Sequence, residues 1–214
     1  MRRIGRLHLL TDTRPGRDVL AAVAAALAGG VDTVQVRVGD EVTDAHAYQL
    51  TVAVLDLCRQ HGVLCLVNDR LHIAGAAGAD GGHVGADDLP VAAARRLLGP
   101  DAVLGATARD PTTARALVAD GADYLGVGPA YPTSTKDGLP EPIGPAGITA
   151  VAEAVTVPVI AIGGVTAPRL PELRAAGAYG VAVVGAICGA DDPKAAAADL
   201  RAAWRDPRAA GAGP

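Results

Sequence analysis

The chain is predicted to fold as a single-domain (β/α)8 TIM barrel, on three observations. Eight short β-like runs alternate with helical stretches, the pattern of parallel βαβ units. The junctions from helix into strand repeat a Gly-small-Asp signature. The length, 214 residues, suits one domain with its own core, and eight units in a chain of this size point to a closed barrel rather than an open sheet.

In chain order, the β-branched and aliphatic runs lie at residues 7–11, 33–37, 64–68, 81–84, 103–107, 124–127, 159–162 and 181–184. Helical patterning covers 18–28, 44–60, 91–98, 112–119 and 168–175, and a last helix at 193–204 follows the eighth run. Gly30-Val31-Asp32, Gly78-Ala79-Asp80 and Gly121-Ala122-Asp123 repeat one junction, with a weaker copy at Gly177-Ala178-Tyr179. A glycine just past a helix adopts the left-handed C-cap conformation at little cost, so each copy reads as a turn into a strand. The barrel domain is assigned to residues 1–205. The Ala/Gly/Pro-rich stretch 206–214 is expected to fray.

Composition narrows the partners. Half the residues are apolar but aromatics are only 2% and phenylalanine is absent, so the core is expected to be layered aliphatic packing against a parallel sheet. A formal charge of -4 argues against a nucleic-acid partner, which calls for a basic excess. No run is long and apolar enough to span a membrane. The apolar run after Met1-Arg2-Arg3 is broken by His8 and too short for a signal peptide. Cys58, Cys65 and Cys188 form no CxxC pair and read as free thiols in a reducing, cytoplasmic setting. Oligomeric state is not legible, and a homo-oligomer stays open.

In such barrels the site is built at the C-terminal ends of the strands. There stand Thr11-Asp12, Gln35 and Arg37, Asn68-Asp69, His83 with Asp87-Asp88, Thr107, the stretch from Gly128 to Lys136, Gly163-Gly164 and Gly185. Asp69 and Asp88 occupy adjacent loops, where their carboxylates can converge on a hard cation such as Mg2+. Capping the helices that follow is their other ordinary use. Gly163-Gly164 and Gly185 leave backbone amides open to a phosphate. Residues 132–143 form the longest stretch without periodicity, and Thr133, Ser134, Thr135 and Lys136 within it suit an anion-closing loop. A solvated surface loop is the alternative. Of the histidines, only His83 is placed at the mouth. His46 and His61 read as exposed helix positions, His72 opens a helix, and His8 points either into the barrel or to the helices.

These stretches resemble the thiamine phosphate synthase family over about residues 6–203. The similarity is carried by Leu9-Leu10-Thr11-Asp12, Gln35-Val36-Arg37, Val67-Asn68-Asp69, His83-Val84-Gly85 with Asp88, and Gly126-Val127-Gly128-Pro129. It continues in Tyr131-Pro132-Thr133-Ser134-Thr135-Lys136, Ile162-Gly163-Gly164 and Val183-Val184-Gly185-Ala186-Ile187. The resemblance implies a magnesium-dependent coupling of hydroxymethylpyrimidine diphosphate to a thiazole phosphate. It implies that Asp69 and Asp88 hold Mg2+ against the diphosphate, and that Arg37, Asn68 and Lys136 bind that group. Gln35, His83 and Thr107 would border the pyrimidine. Thr133, Thr135, Gly164, Val184 and Gly185 would hold the thiazole phosphate.

Three positions depart from the family pattern. Gly39 stands where a lysine is usual, Ala86 where a glutamine is, and Thr107 with Arg109 where a serine and a histidine are. The missing lysine removes one charge-assisted contact, worth about 1.5–3 kcal/mol, and Arg109 is the candidate to restore it. The sister thiazole tautomerases share the barrel and a thiazole phosphate site but need a proton-transfer group rather than both aspartates. A non-catalytic phosphate-ligand-binding barrel is the third reading.

Overall fold

The computed structural model describes residues 4–133, 138 and 140–205. The fraying expected of 206–214, and the roles expected of Thr135 and Lys136, lie outside the described residues. Eight strands close in sequence order into a parallel barrel: β1 (Leu7–Leu10), β2 (Thr33–Val36), β3 (Leu64–Asn68), β4 (Gly81–Val84), β5 (Val103–Ala108), β6 (Tyr124–Val127), β7 (Val159–Ile162) and β8 (Gly180–Val183). Closure is made by β1 on β8, with His8 level with Ala182.

The helices are α1 (Val19–Gly29), α2 (Asp44–His61), α3 (Leu71–Ala77), α4 (Val91–Leu98), α5 (Pro111–Ala119), α6 (Gly144–Ala154), α7 (Leu170–Ala175), α8 (Gly185–Cys188) and α9 (Pro193–Arg205). The starts of α1, α2 and α5 are set by side-chain caps that accept orphan N–H groups. Asp18 accepts from Ala21, Thr43 from His46, and Asp110 from both Thr112 and Thr113. Two helices were not foreseen. α6 opens on Gly-Pro and carries Gly147, which masks helical patterning, and α8 is a single turn directly after the eighth strand.

The Gly-small-Asp repeat has a structural purpose at the other end of the barrel. Asp32, Asp80 and Asp123 each accept from a backbone N–H of the preceding strand: Leu7 at 2.7 Å, Cys65 at 2.8 Å and Leu104 at 2.8 Å. Each also donates its own N–H to the carbonyl of that same residue. The carboxylates therefore stitch strands together at the N-terminal face, where barrel residues serve stability. The copy ending in Tyr179 keeps the backbone bond, to Val159 O at 2.8 Å, and has no carboxylate to add.

Strand alternation sorts the core into two layers. Leu9, Val34, Cys65, Leu104, Leu125, Ala161 and Val181 face the helices. Leu10, Leu64, Leu66, Val103, Tyr124, Ile160 and Ala182 fill the barrel. The interior is not wholly aliphatic, as the composition suggested. His8, Thr33, Gln35 and His83 are buried and share the inward parity, and Tyr124 is 1% exposed. His8 thus points into the barrel, its Nε2 at 3.0 Å from Gly5 O.

Candidate active site

Arg37 leaves the end of β2 held by its own backbone. The Thr11 hydroxyl accepts from Arg37 N–H at 2.8 Å and donates to Arg37 O at 2.7 Å. This exchange ends the strand one residue short of the predicted run and fixes where the guanidinium leaves the sheet. Among the described residues that guanidinium is paired with no carboxylate. Asp12 follows Thr11 and is spent locally. Arg14 binds both of its oxygens, at 2.8 and 2.7 Å, and these bonds hold its carboxyl below the usual range.

Asn68 ends β3 level with His83, and Asp69 donates its N–H to His83 O at 2.9 Å. Asp69 is the one non-glycine residue with positive φ, at 60°, among the described residues. Such a backbone costs on the order of 1 kcal/mol or more and persists where surroundings impose it, often at functional sites. Asp69 caps no helix, since α3 has Arg70 at its N-cap with no side-chain bond. Asp88 caps none either, because Pro90 holds that position in α4. Instead its Oδ2 accepts from Gly85 N–H at 2.7 Å, folding the loop after β4 so that the carboxylate stays beside that strand end.

Inside the mouth, His83 Nδ1 lies 3.0 Å from the Tyr124 hydroxyl and Nε2 lies 2.9 Å from Thr107 Oγ1. Gln35 Nε2 donates to the same tyrosine oxygen at 3.3 Å. Burial pushes the His83 pKa down to about 4, so the ring is neutral at pH 7. The arrangement depends on Gly105, level with His83 on one side and Tyr124 on the other. A Cβ there would fall 2.1 Å from the Tyr124 ring and 2.5 Å from His83 Nδ1. Gly105→Ala is expected to destabilise the fold by about 1–3 kcal/mol through overpacking, read as a lowered urea midpoint. An unchanged midpoint would mean the rings are free to part.

Gly163 and Gly164 turn the chain after β7 with φ of 93° and 63°, conformations that suit glycine. Their carbonyls are engaged: Gly163 O accepts from Tyr131 N–H at 3.0 Å and Gly164 O from Arg169 at 2.5 Å. A trans peptide points its N–H opposite its C=O, so the amides of Gly164 and Val165 are aimed away from these partners. Arg169 also stacks 4.2 Å over the Tyr131 ring, whose hydroxyl donates to Glu172 at 2.6 Å. The β6–α6 loop is thereby strapped to the end of β7. Thr133 stands half-buried in that loop, Val184 is buried as the N-cap of α8, and Gly185 is exposed as its first residue.

Arg109, expected to restore the missing cation, is engaged with its own side of the barrel: it donates to Glu141 O at 2.5 Å, tying down the β6–α6 loop. Arg70 is a cation that does reach Gly39: it donates to Gly39 O at 3.1 Å and Val42 O at 2.6 Å, clamping the β2–α2 loop. Arg70, Arg169 and Tyr124 were missed from the sequence. Only Tyr124 left a trace there, as a polar residue at an inward-facing strand position. A separate cavity of about 370 Å3 sits at the rim between α1 and Cys188, and of the strand-end residues expected at the site Thr11 and Asp12 line it.

Polar side chains gathered at the C-terminal end of a closed parallel barrel define a (β/α)8-barrel enzyme. Comparison with known proteins narrows that class. The family model for thiamine monophosphate synthase matches residues 7–187, most of the chain. The chain belongs to that family and is a transferase of thiamine biosynthesis. The thiamine-phosphate synthase of Salinispora arenicola is 64% identical over 92% of this chain and 96% of its own. That of Salinispora tropica is 60% identical over 94% and 97%. The solved thiamine phosphate pyrophosphorylase of Pyrococcus furiosus aligns with a TM-score of 0.85 at 32% identity, covering 93% of this chain and 95% of that one.

Proposed function

We propose that the protein couples 4-amino-2-methyl-5-hydroxymethylpyrimidine diphosphate to hydroxyethylthiazole phosphate in the cytoplasm, forming thiamine phosphate and releasing pyrophosphate. The observation that carries this reading is a pair of carboxylates after the adjacent strands β3 and β4: Asp69, held at positive φ, and Asp88, bonded to Gly85 N–H. Their donor chemistry fits Mg2+, which takes one or two carboxylates and completes its shell with water and substrate phosphate. When bound, the cation would neutralise charge on the departing diphosphate.

The chain's own residues do the rest. Arg37, Asn68 and Lys136 hold the diphosphate, and Thr107, at the border of the pyrimidine, also donates a hydrogen bond to it. Gln35 and His83 border the pyrimidine. Thr133 and Thr135, with the backbone amides at Gly164, Val184 and Gly185, hold the thiazole phosphate. The C–O bond to the diphosphate breaks with its electron pair going to the leaving group. The thiazole nitrogen then gives its lone pair to the pyrimidinylmethyl cation, forming the new C–N bond. Such a step relies on positioning and leaving-group stabilisation more than on a strong base. That suits a site whose buried imidazole is neutral.

The test is a coupling assay with the two phosphorylated substrates, Mg2+ and a chelator control. Chelator-sensitive thiamine phosphate formation is expected, which would also show that Gly39 is tolerated. Folded protein without product would refute the coupling. Thiazole isomerisation would then indicate the tautomerase, and Mg2+-dependent calorimetric binding without turnover a binding-only barrel. For the tautomerase, position 109 offers an arginine already engaged with Glu141 rather than a proton-transfer group.

A further inference from the structure

Tyr124 is buried, touches both Gln35 and His83, and has no part in the reading above. Counting protons along this chain of contacts gives it one. The phenol carries one hydrogen, the neutral imidazole one, and Thr107 one, while the Gln35 amide nitrogen can only donate. With Gln35 donating to the tyrosine oxygen, the phenol hydrogen is left to go to His83 Nδ1. His83 then carries its proton on Nε2 and donates it to Thr107 Oγ1, and the threonine hydrogen is the one free to point outward. If His83 instead donated from Nδ1, two donors would converge on the phenol oxygen. The phenol hydrogen would then have no acceptor among the described residues, a costly state for a buried donor. Turning the Gln35 amide over would allow the chain to run backwards. Thr107 would then present lone pairs to a mouth otherwise equipped with the Arg37 cation, a poor match to a phosphate oxygen.

We propose that Tyr124 is a positioning residue which, with Gln35, holds His83 as the Nε2–H tautomer and thereby commits the Thr107 hydroxyl to donate into the active site. The identity of the acceptor, a diphosphate oxygen, rests on the proposed function. The tautomer does not. Gly105 and Gly126 are the built-in space for this relay, since a Cβ at Gly126 would approach His83 Cε1 to 3.0 Å.

Long-range 1H–15N correlation on histidine-15N protein at pH 7, without substrates, reads the tautomer directly. The wild type is expected to show His83 as Nε2–H, and Tyr124→Phe, which keeps the ring and its packing, to lose that single-tautomer signature. In the coupling assay Tyr124→Phe is expected to lower kcat about 10- to 100-fold, the usual scale for losing a group that orients a substrate-contacting one. KM for the thiazole phosphate is expected to stay within about twofold, since that subsite lies elsewhere. Thr107→Val combined with Tyr124→Phe should lose no more than Thr107→Val alone. A wild-type His83 protonated on Nδ1, or a tautomer indifferent to Tyr124→Phe, overturns the proposal whether or not the coupling reaction is found.

Discussion

Asp69→Asn is expected to lower turnover by about two to three decades, the loss typical of removing one preorganised group that stabilises developing charge, while the protein stays folded. Asparagine is the informative replacement because of the backbone. At φ 60° asparagine and aspartate are less strained than other residues with a side chain, so alanine would mix an added conformational penalty with the loss of charge. Asparagine keeps the shape and the tolerance for that region and removes only the anion. The measurement is kcat/KM across a Mg2+ titration, with circular dichroism and a urea midpoint as folding controls. The deficit should shrink as Mg2+ rises if Asp69 helps to hold the cation. Full activity at ordinary Mg2+ would remove Asp69 from the metal assignment and leave its strained backbone unexplained.

The second large effect is on stability. Acidification from pH 7 to about pH 4.5 is expected to weaken the fold by several kcal/mol, through His8 and His83. Burial lowers both from the usual 6.5 to about 4, with His8 adding to the effect on His83 and the Asp88 carboxylate opposing it only in part. Below pH 6.5 the unfolded chain binds protons that the folded chain refuses. Stability is therefore fully present above that pH and drains away as pH falls toward 4, where the folded rings protonate too. Each ring contributes on the order of 3 kcal/mol, against a total of about 5–15 kcal/mol for a typical domain. Asp32 works in the opposite sense, since burial raises its carboxyl and the folded state there binds a proton the unfolded state has released. Asp12 and Asp110, both lowered, weaken the fold only below about pH 4. Urea midpoints measured between pH 7.5 and 4.5 should thus fall, and fall less in His8→Gln. A flat profile over that interval would show that the two rings accept protons without unfolding the barrel.

The reach of the sequence can be judged from the same residues. The alternation of runs and helices, the junction glycines and the polar strand ends at Arg37, Asn68-Asp69, Thr107 and Gly163-Gly164 are local features. Each is set by backbone propensity and side-chain parity within a few positions, so a linear reading recovers them. The relay of Gln35, Tyr124, His83 and Thr107 is different. Gln35 and Tyr124 are 89 positions apart and meet across the closed barrel, while Tyr124 and His83 are 41 apart and are brought level through Gly105 between them. The same holds for Arg109, whose partner, the Glu141 carbonyl, comes within reach only once the β6–α6 loop folds back beside the end of β5. By itself the sequence determined the barrel, the end of it that carries the chemistry, and the residues standing there. Which of those side chains face one another, and which way their hydrogen bonds run, was decided by the closed tertiary structure, because strand register and closure are properties of pairs of distant segments rather than of any one of them.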